Sequence, residues 1–175
     1  MIPTPPPQRC RKRHPRVRGF TLLELIVVLL IAGIISFSAM VKLNSVGDVN
    51  AQGFADELAS SLRFAQKAAV AQRRPVYVNI DAANNHVYVC LDAASPCATP
   101  LQQPAGGALD ITGPGAVVLT ANVTQFSFSG FGCPQTDTTT GCASVSSALQ
   151  MVATSPTGAQ FTVTVQADSG YVQRT

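Results

Sequence analysis

Glu24 is the one charged side chain in the 22-residue run 20–41, FTLLELIVVLLIAGIISFSAMV. A carboxylate in so apolar a helix costs on the order of 2.5–3.5 kcal/mol near the middle of a bilayer, less near its edge, and usually has a partner. Glu24 therefore either reaches back to the headgroups or meets a cation on another chain. A cut between Gly19 and Phe20 supplies such a cation, because the new α-amine, with a pKa of about 7.7–8, is mostly protonated at neutral pH. That amine lies about 6 Å along the helix axis from its own Glu24, so a neighbouring helix offset by about one turn brings its amine to this carboxylate. A buried pair of that kind sets register more dependably than it adds stability. Glycine before the cut suits a protease that must approach the backbone closely.

The cysteines offer a second chemistry. Cys10 precedes the apolar run; Cys90, Cys97, Cys133 and Cys142 follow it. Four cysteines allow three connectivities, and the shortest joins Cys90 to Cys97 and Cys133 to Cys142. Each bond would close one loop, at a typical gain of about 2–4 kcal/mol in an oxidising compartment. Zinc is the competing reading, but there is no CxxC and His86 is the one histidine beyond the leader. No metal or other cofactor is expected. His86 stands at the start of a predicted strand beside a turn and reads as a surface histidine, not a catalytic one. With no GxSxG, P-loop or GxGxxG, and carboxylates scattered singly, the sequence does not predict an enzyme.

Charge is divided unevenly. Residues 1–19 hold six of the twelve Lys and Arg and no acidic residue, whereas the rest of the chain holds six basic and nine acidic side chains, a net −3. A nucleic-acid argument built on overall basicity would rest on the segment that a cut at Gly19 removes. With 46% hydrophobic and 12% charged residues, the chain is no disordered regulator.

The elements that position these residues follow from periodicity. Five prolines and six like charges keep residues 1–19 from building a core. The run 20–41 is about 33 Å long as a helix, enough to span a bilayer, and the basic cluster before it predicts a cytoplasmic N-terminus. Cleavage near Ala39 by an ordinary signal peptidase is a competing reading; a lipoprotein signal is excluded, since Cys10 lies on the wrong side. A plain uncut anchor leaves Glu24 unexplained. Val46-Gly47-Asp48 is read as a kink. Phe54, Leu58, Leu62, Ala65 and Ala69 then mark the core stripe of an amphipathic helix over about 50–74, ended by Pro75. After that the period becomes two. Strands are predicted at 76–80 and 87–91, forming a hairpin, then at 116–120, 123–129, 148–154, 160–166 and 171–174. Residues 92–115 and 130–144 read as long loops suited to subunit or ligand contacts. The fold expected is α+β: a long N-terminal helix, its first half transmembrane, packed on an antiparallel β-sheet head. Its parts are a basic leader 1–19, a transmembrane and filament-core helix 20–45, and a periplasmic head 46–175.

Arg18-Gly19-Phe20-Thr21-Leu22-Leu23-Glu24 followed by the apolar run resembles the class III signal of type IV pilins and type II secretion pseudopilins. The resemblance implies that a prepilin peptidase cuts after Gly19 and methylates Phe20, and that Glu24 guides docking onto other pilin or pseudopilin subunits. The leader is longer and richer in proline than many in that superfamily. Leu62–Ala69 with Arg73-Arg74 and Val76-Tyr77-Val78, and the closing stretch 161–172, are similar to the GspH/FimT family of minor pseudopilins and pilins; a minor pilin of the mannose-sensitive haemagglutinin type fits as well. The implied function is a structural subunit, held by one span in the bacterial inner membrane and then assembled into a filament. The alternative is a DNA-uptake pilin using Arg73, Arg74 and Arg174. One arginine in the C-terminal stretch and an acidic mature chain weigh against it, so nucleic acid is not the expected partner.

Overall fold

The computed structural model describes residues 20–136, 142 and 145–175, with the backbone alone for 37–45. The leader expected at 1–19, Gly19 included, lies outside the described residues. The chain divides into two compact units, 1–40 and 41–175, and one helix, α1 (Leu22–Gln72), contributes to both.

In the first unit Thr21 starts the helix. Its Oγ1 accepts a hydrogen bond from the Glu24 amide at 3.2 Å, and its carbonyl accepts one from Leu25 N at 3.2 Å, as an N-cap residue does. Glu24 sits in the first turn, where a negative charge complements the helix dipole. Every described side chain from Leu22 to Ser36 is exposed, and all but Glu24 and Ser36 are apolar. Among the described residues no helix is long and apolar enough to cross a membrane; the side chains of 37–45, of which 37–41 complete the apolar run, are outside the description.

In the second unit α1 buries the stripe that its spacing predicts. Phe54, Leu58, Leu62, Ala65 and Ala69 are in the core, joined by Ala51, Ala55 and Ala59. The helix runs without interruption through Val46-Gly47-Asp48, where a kink was expected. Glycine serves close approach there, since a Cβ on Gly47 would lie 3.0 Å from Pro156 Cδ. The next residue, Asp48, accepts hydrogen bonds from Ser155 Oγ at 2.6 Å and from the Thr157 hydroxyl. The helix ends at Gln72, before the proline expected to stop it. Arg73 takes a left-handed φ of 51°, its amide reaches Val70 O at 3.3 Å, and the Arg74 amide reaches Ala69 O at 3.2 Å. This is a Schellman closure with arginine in the position glycine usually takes.

Among the described residues nine strands follow: β1 (Val76–Asp81), β2 (His86–Cys90), β3 (Asp110–Thr112), β4 (Val118–Ala121), β5 (Gln125–Phe128), β6 (Pro134–Gln135), β7 (Leu149–Thr154), β8 (Gln160–Val165) and β9 (Val172–Arg174). They form two antiparallel sheets, ordered β3-β2-β1-β5-β6 and β4-β7-β8-β9, which make up the expected antiparallel head. The predicted hairpin is β1–β2, turned by a 3₁₀ segment, Ala82–Asn84. β3 and β6 lie inside stretches read as loops. They are edge strands of three and two residues, too short to show a period, and β6 begins with a proline that an edge tolerates. A single hydrophobic core joins the helix stripe to Val76, Val78, Val87, Val89, Phe126 and Phe128 of one sheet and to Leu119, Met151, Val163 and Val165 of the other.

Candidate functional site

The candidate processing and docking residues stand at the start of α1. Phe20 is 71% exposed and precedes the Thr21 cap; Glu24 is exposed on the first turn. The spacing Thr21-Leu22-Leu23-Glu24 before an apolar run is the sequence signature of an N-terminal cap. In the sequence this cap coincides with the cleavage signal, so the two signals overlap on the same residues. Thr21 thus orients the turn that carries Glu24.

The four head cysteines are paired as Cys90–Cys97 and Cys133–Cys142, with Cα separations of 5.8 and 5.4 Å. Asp92 organises the first loop, accepting from the Thr99 amide at 2.6 Å and the Ala94 amide at 3.1 Å. Desolvation pushes the Asp92 carboxyl up, but these amide donors, Thr99 foremost, outweigh it and hold it below its ordinary range. The second bond anchors a turn in which Ser129 N donates to Cys133 O at 2.9 Å. Gln66 of α1 reaches this turn, its Nε2 donating to Gly132 O at 2.8 Å and to Ser169 O of the β8–β9 turn at 3.0 Å. One helix side chain therefore ties down two loops.

The basic residues weighed for phosphate contact are not brought together. Arg174 Nε lies 2.6 Å from Asp56 Oδ1, and its guanidinium is 5.8 Å from the Phe161 ring centre. Arg73 and Arg74 follow the end of α1, about 26 Å along the axis from Asp56. There Arg74 Nη2 donates to Leu91 O at 2.9 Å. Arg174 is spent on joining β9 to the helix, with Arg63 Nε donating to Val172 O at 3.1 Å beside it. This geometry lends no support to a DNA-binding surface made by the three arginines. His86 is paired with Asp110 across β2 and β3, and its ring is 5.2 Å from that of Tyr88.

Two family matches cover the chain in order. Residues 14–40 match the prokaryotic N-terminal methylation motif, and residues 55–173 match the type II transport protein GspH. The chain belongs to the GspH family. Solved structures with the GspH-like fold include the Pseudomonas aeruginosa (strain PAO1) type IV minor pilin FimU in two crystal forms. One is 16% identical over 71% of this chain and 91% of FimU, with a TM-score of 0.54. The other is 18% identical over 70% and 85%, with a TM-score of 0.52. The Vibrio cholerae minor pseudopilin EpsH of the Type 2 Secretion System is 14% identical over 72% of this chain and 96% of EpsH, with a TM-score of 0.56. At these identities the likeness shows a common fold. No curated protein matches the chain.

Proposed function

We propose that this GspH-family chain is a minor pseudopilin or minor pilin, a structural subunit rather than an enzyme. It is made as a precursor that a prepilin peptidase cuts between Gly19 and Phe20, with methylation of the new N-terminal Phe20. Residues 20–45 anchor it in the inner membrane, with the head, 46–175, in the periplasm. It then joins other pilin or pseudopilin subunits through the same helix. Glu24 guides that docking by pairing with a neighbour's α-amine.

The observation that carries this reading is the order of the two matches on one chain. The methylation motif straddles Gly19 and Phe20, and the GspH match occupies the head. The exposed apolar surface of Leu22, Leu25, Leu29 and Ile34 supports it, since a helix apolar on every side needs lipid or other helices around it. The family's description and EpsH favour a type II secretion pseudopilus; FimU has the same fold in a type IV minor pilin.

The test is the intact mass and N-terminal sequence of the membrane-extracted chain, with and without a co-expressed prepilin peptidase. The expected result is a peptidase-dependent start at methylated Phe20. A chain that keeps residues 1–19, or one cut near Ala39, overturns the processing and with it the filament role.

A further inference from the structure

A recess on the outer face of the five-stranded sheet is used by none of the assembly features. Asn79 is the direct cross-strand neighbour of Tyr88 on β2 and of Gln125 on β5. The three side chains therefore leave the same face of the sheet in one row, opposite the face that buries Val78 and Phe126. The recess has a volume of about 240 Å³, and Asp81, Ser95 and Thr124 line it with that row.

The wall of the recess is built in advance of any ligand. It is the loop closed by Cys90–Cys97 and caged by Asp92. Tyr88 Oη lies 3.2 Å from Ser95 Oγ of that loop. Gln125 Nε2 donates to Asn79 Oδ1 at 2.7 Å and to Ala93 O at 3.4 Å. Both N–H groups of Gln125 are thus engaged, and what it offers a ligand is its carbonyl oxygen. Asn79 is only 4% exposed, and its Nδ2 rests 3.4 Å from the weak acceptor Cys90 Sγ. On the far side, Asp81 is fixed by the Asn84 side chain at 2.7 Å.

Around one tyrosine ring, the Ser95 and Thr124 hydroxyls can donate and accept hydrogen bonds, while the Asp81 carboxylate and the Gln125 carbonyl accept them. A pyranose has the matching surface, an apolar C–H face for the ring and a rim of hydroxyls that each donate and accept. The volume is below the roughly 300–1,000 Å³ of sites for drug-sized ligands, which suits one ring. The carboxylate of Asp81 disfavours an anionic ligand. We propose that this recess binds a single neutral sugar residue, stacked on Tyr88 and hydrogen-bonded by Asp81 and Gln125, with Asn79 holding Gln125 in place. A site of this size and openness binds weakly, with a Kd in the millimolar range.

The test uses the full chain in a detergent without a sugar headgroup. Saturation-transfer NMR is recorded with D-glucose, D-galactose and N-acetyl-D-glucosamine as separate probes. The expected result is transfer to the ring protons of at least one probe, weakened about tenfold or more in Tyr88→Ala and in Asp81→Ala. Tyr88→Phe, which keeps the ring, retains most of the binding and guards against a misfolded alanine variant. Tyr171→Ala removes an exposed tyrosine of the β8–β9 turn and leaves binding unchanged. No transfer from any of the three probes overturns the proposal, and so does transfer that survives Tyr88→Ala or is lost in Tyr171→Ala. Processing at Gly19 is read by mass alone, so the failure of one proposal is distinguishable from the failure of the other.

Discussion

Asn85 Oδ1 accepts a hydrogen bond from the Leu119 amide at 2.7 Å, so the turn of the β1–β2 hairpin is tied to β4, the edge strand of the other sheet. The same residue accepts from the Gly113 amide through its carbonyl at 2.8 Å and holds a left-handed φ of 52°. It therefore closes a turn and joins two sheets at once. Asn85→Ala is expected to lower stability by about 2–3 kcal/mol, through the unsatisfied amide and the strained φ together. Asn85→Gly, which relieves the backbone, should recover part of that loss. Urea unfolding of the two variants checks this; equal losses would mean that the φ contributes nothing.

Gly170 is required by space as well as by its φ of 68°. A Cβ there would lie 2.1 Å from Gly132 O and 2.7 Å from Gln66 Nε2, in the middle of the two-loop tie. Gly170→Ala should cost about 3 kcal/mol or more and displace the turn that carries Phe131. Gly106→Ala is the control: its φ of 91° is at least as unfavourable to a side chain, but nothing lies within 4 Å of the added carbon. Thermal unfolding should separate them, with the larger loss at Gly170.

Asp48 links the pH scale to the β7–β8 turn. The Ser155 hydroxyl, and after it the Thr157 hydroxyl, hold its carboxyl below the ordinary value of 3.8. The folded protein thus binds this proton less readily than the unfolded chain. The contribution is present above the unfolded pKa and is lost as the pH falls through the lower folded value. Stability measured by urea midpoint should therefore decline below about pH 4, and Asp48→Asn should flatten that part of the profile. Identical acid profiles for the two proteins would remove Asp48 from the account.

Glu24→Ala should leave cleavage after Gly19 intact and impair incorporation into the filament, because the carboxylate lies beyond the cut and serves docking. Mass spectrometry reports the cleavage, and immunoblotting of sheared filaments reports incorporation. Normal incorporation of the variant would refute the docking role.

The helix and most strands were legible because their signals are local. Phe54, Leu58, Leu62, Ala65 and Ala69 repeat at helical spacing, and all are buried; Val76, Val78 and Ile80 alternate and mark β1. What escaped was non-local or too short for a period. The close approach of Gly47 to Pro156 links residues more than a hundred positions apart. β3 and β6 carry three and two residues, and only pairing with β2 and β5 defines them. Arg174 was weighed as a phosphate contact because nothing near it in sequence reveals Asp56, its partner in space.

The partners in the two disulfides are seven and nine positions apart, so each bond closes one short segment, the first starting from buried Cys90 at the end of β2 and the second from buried Cys133 beside β6. Neither crosses from one sheet to the other or from a sheet to the helix. They act as local clasps and not as a frame, and cohesion of the head is left to Leu58, Leu62, Phe126, Met151 and the other side chains at its centre. Reduction of Cys90–Cys97 would therefore be felt first in the loop that forms the wall beside Tyr88.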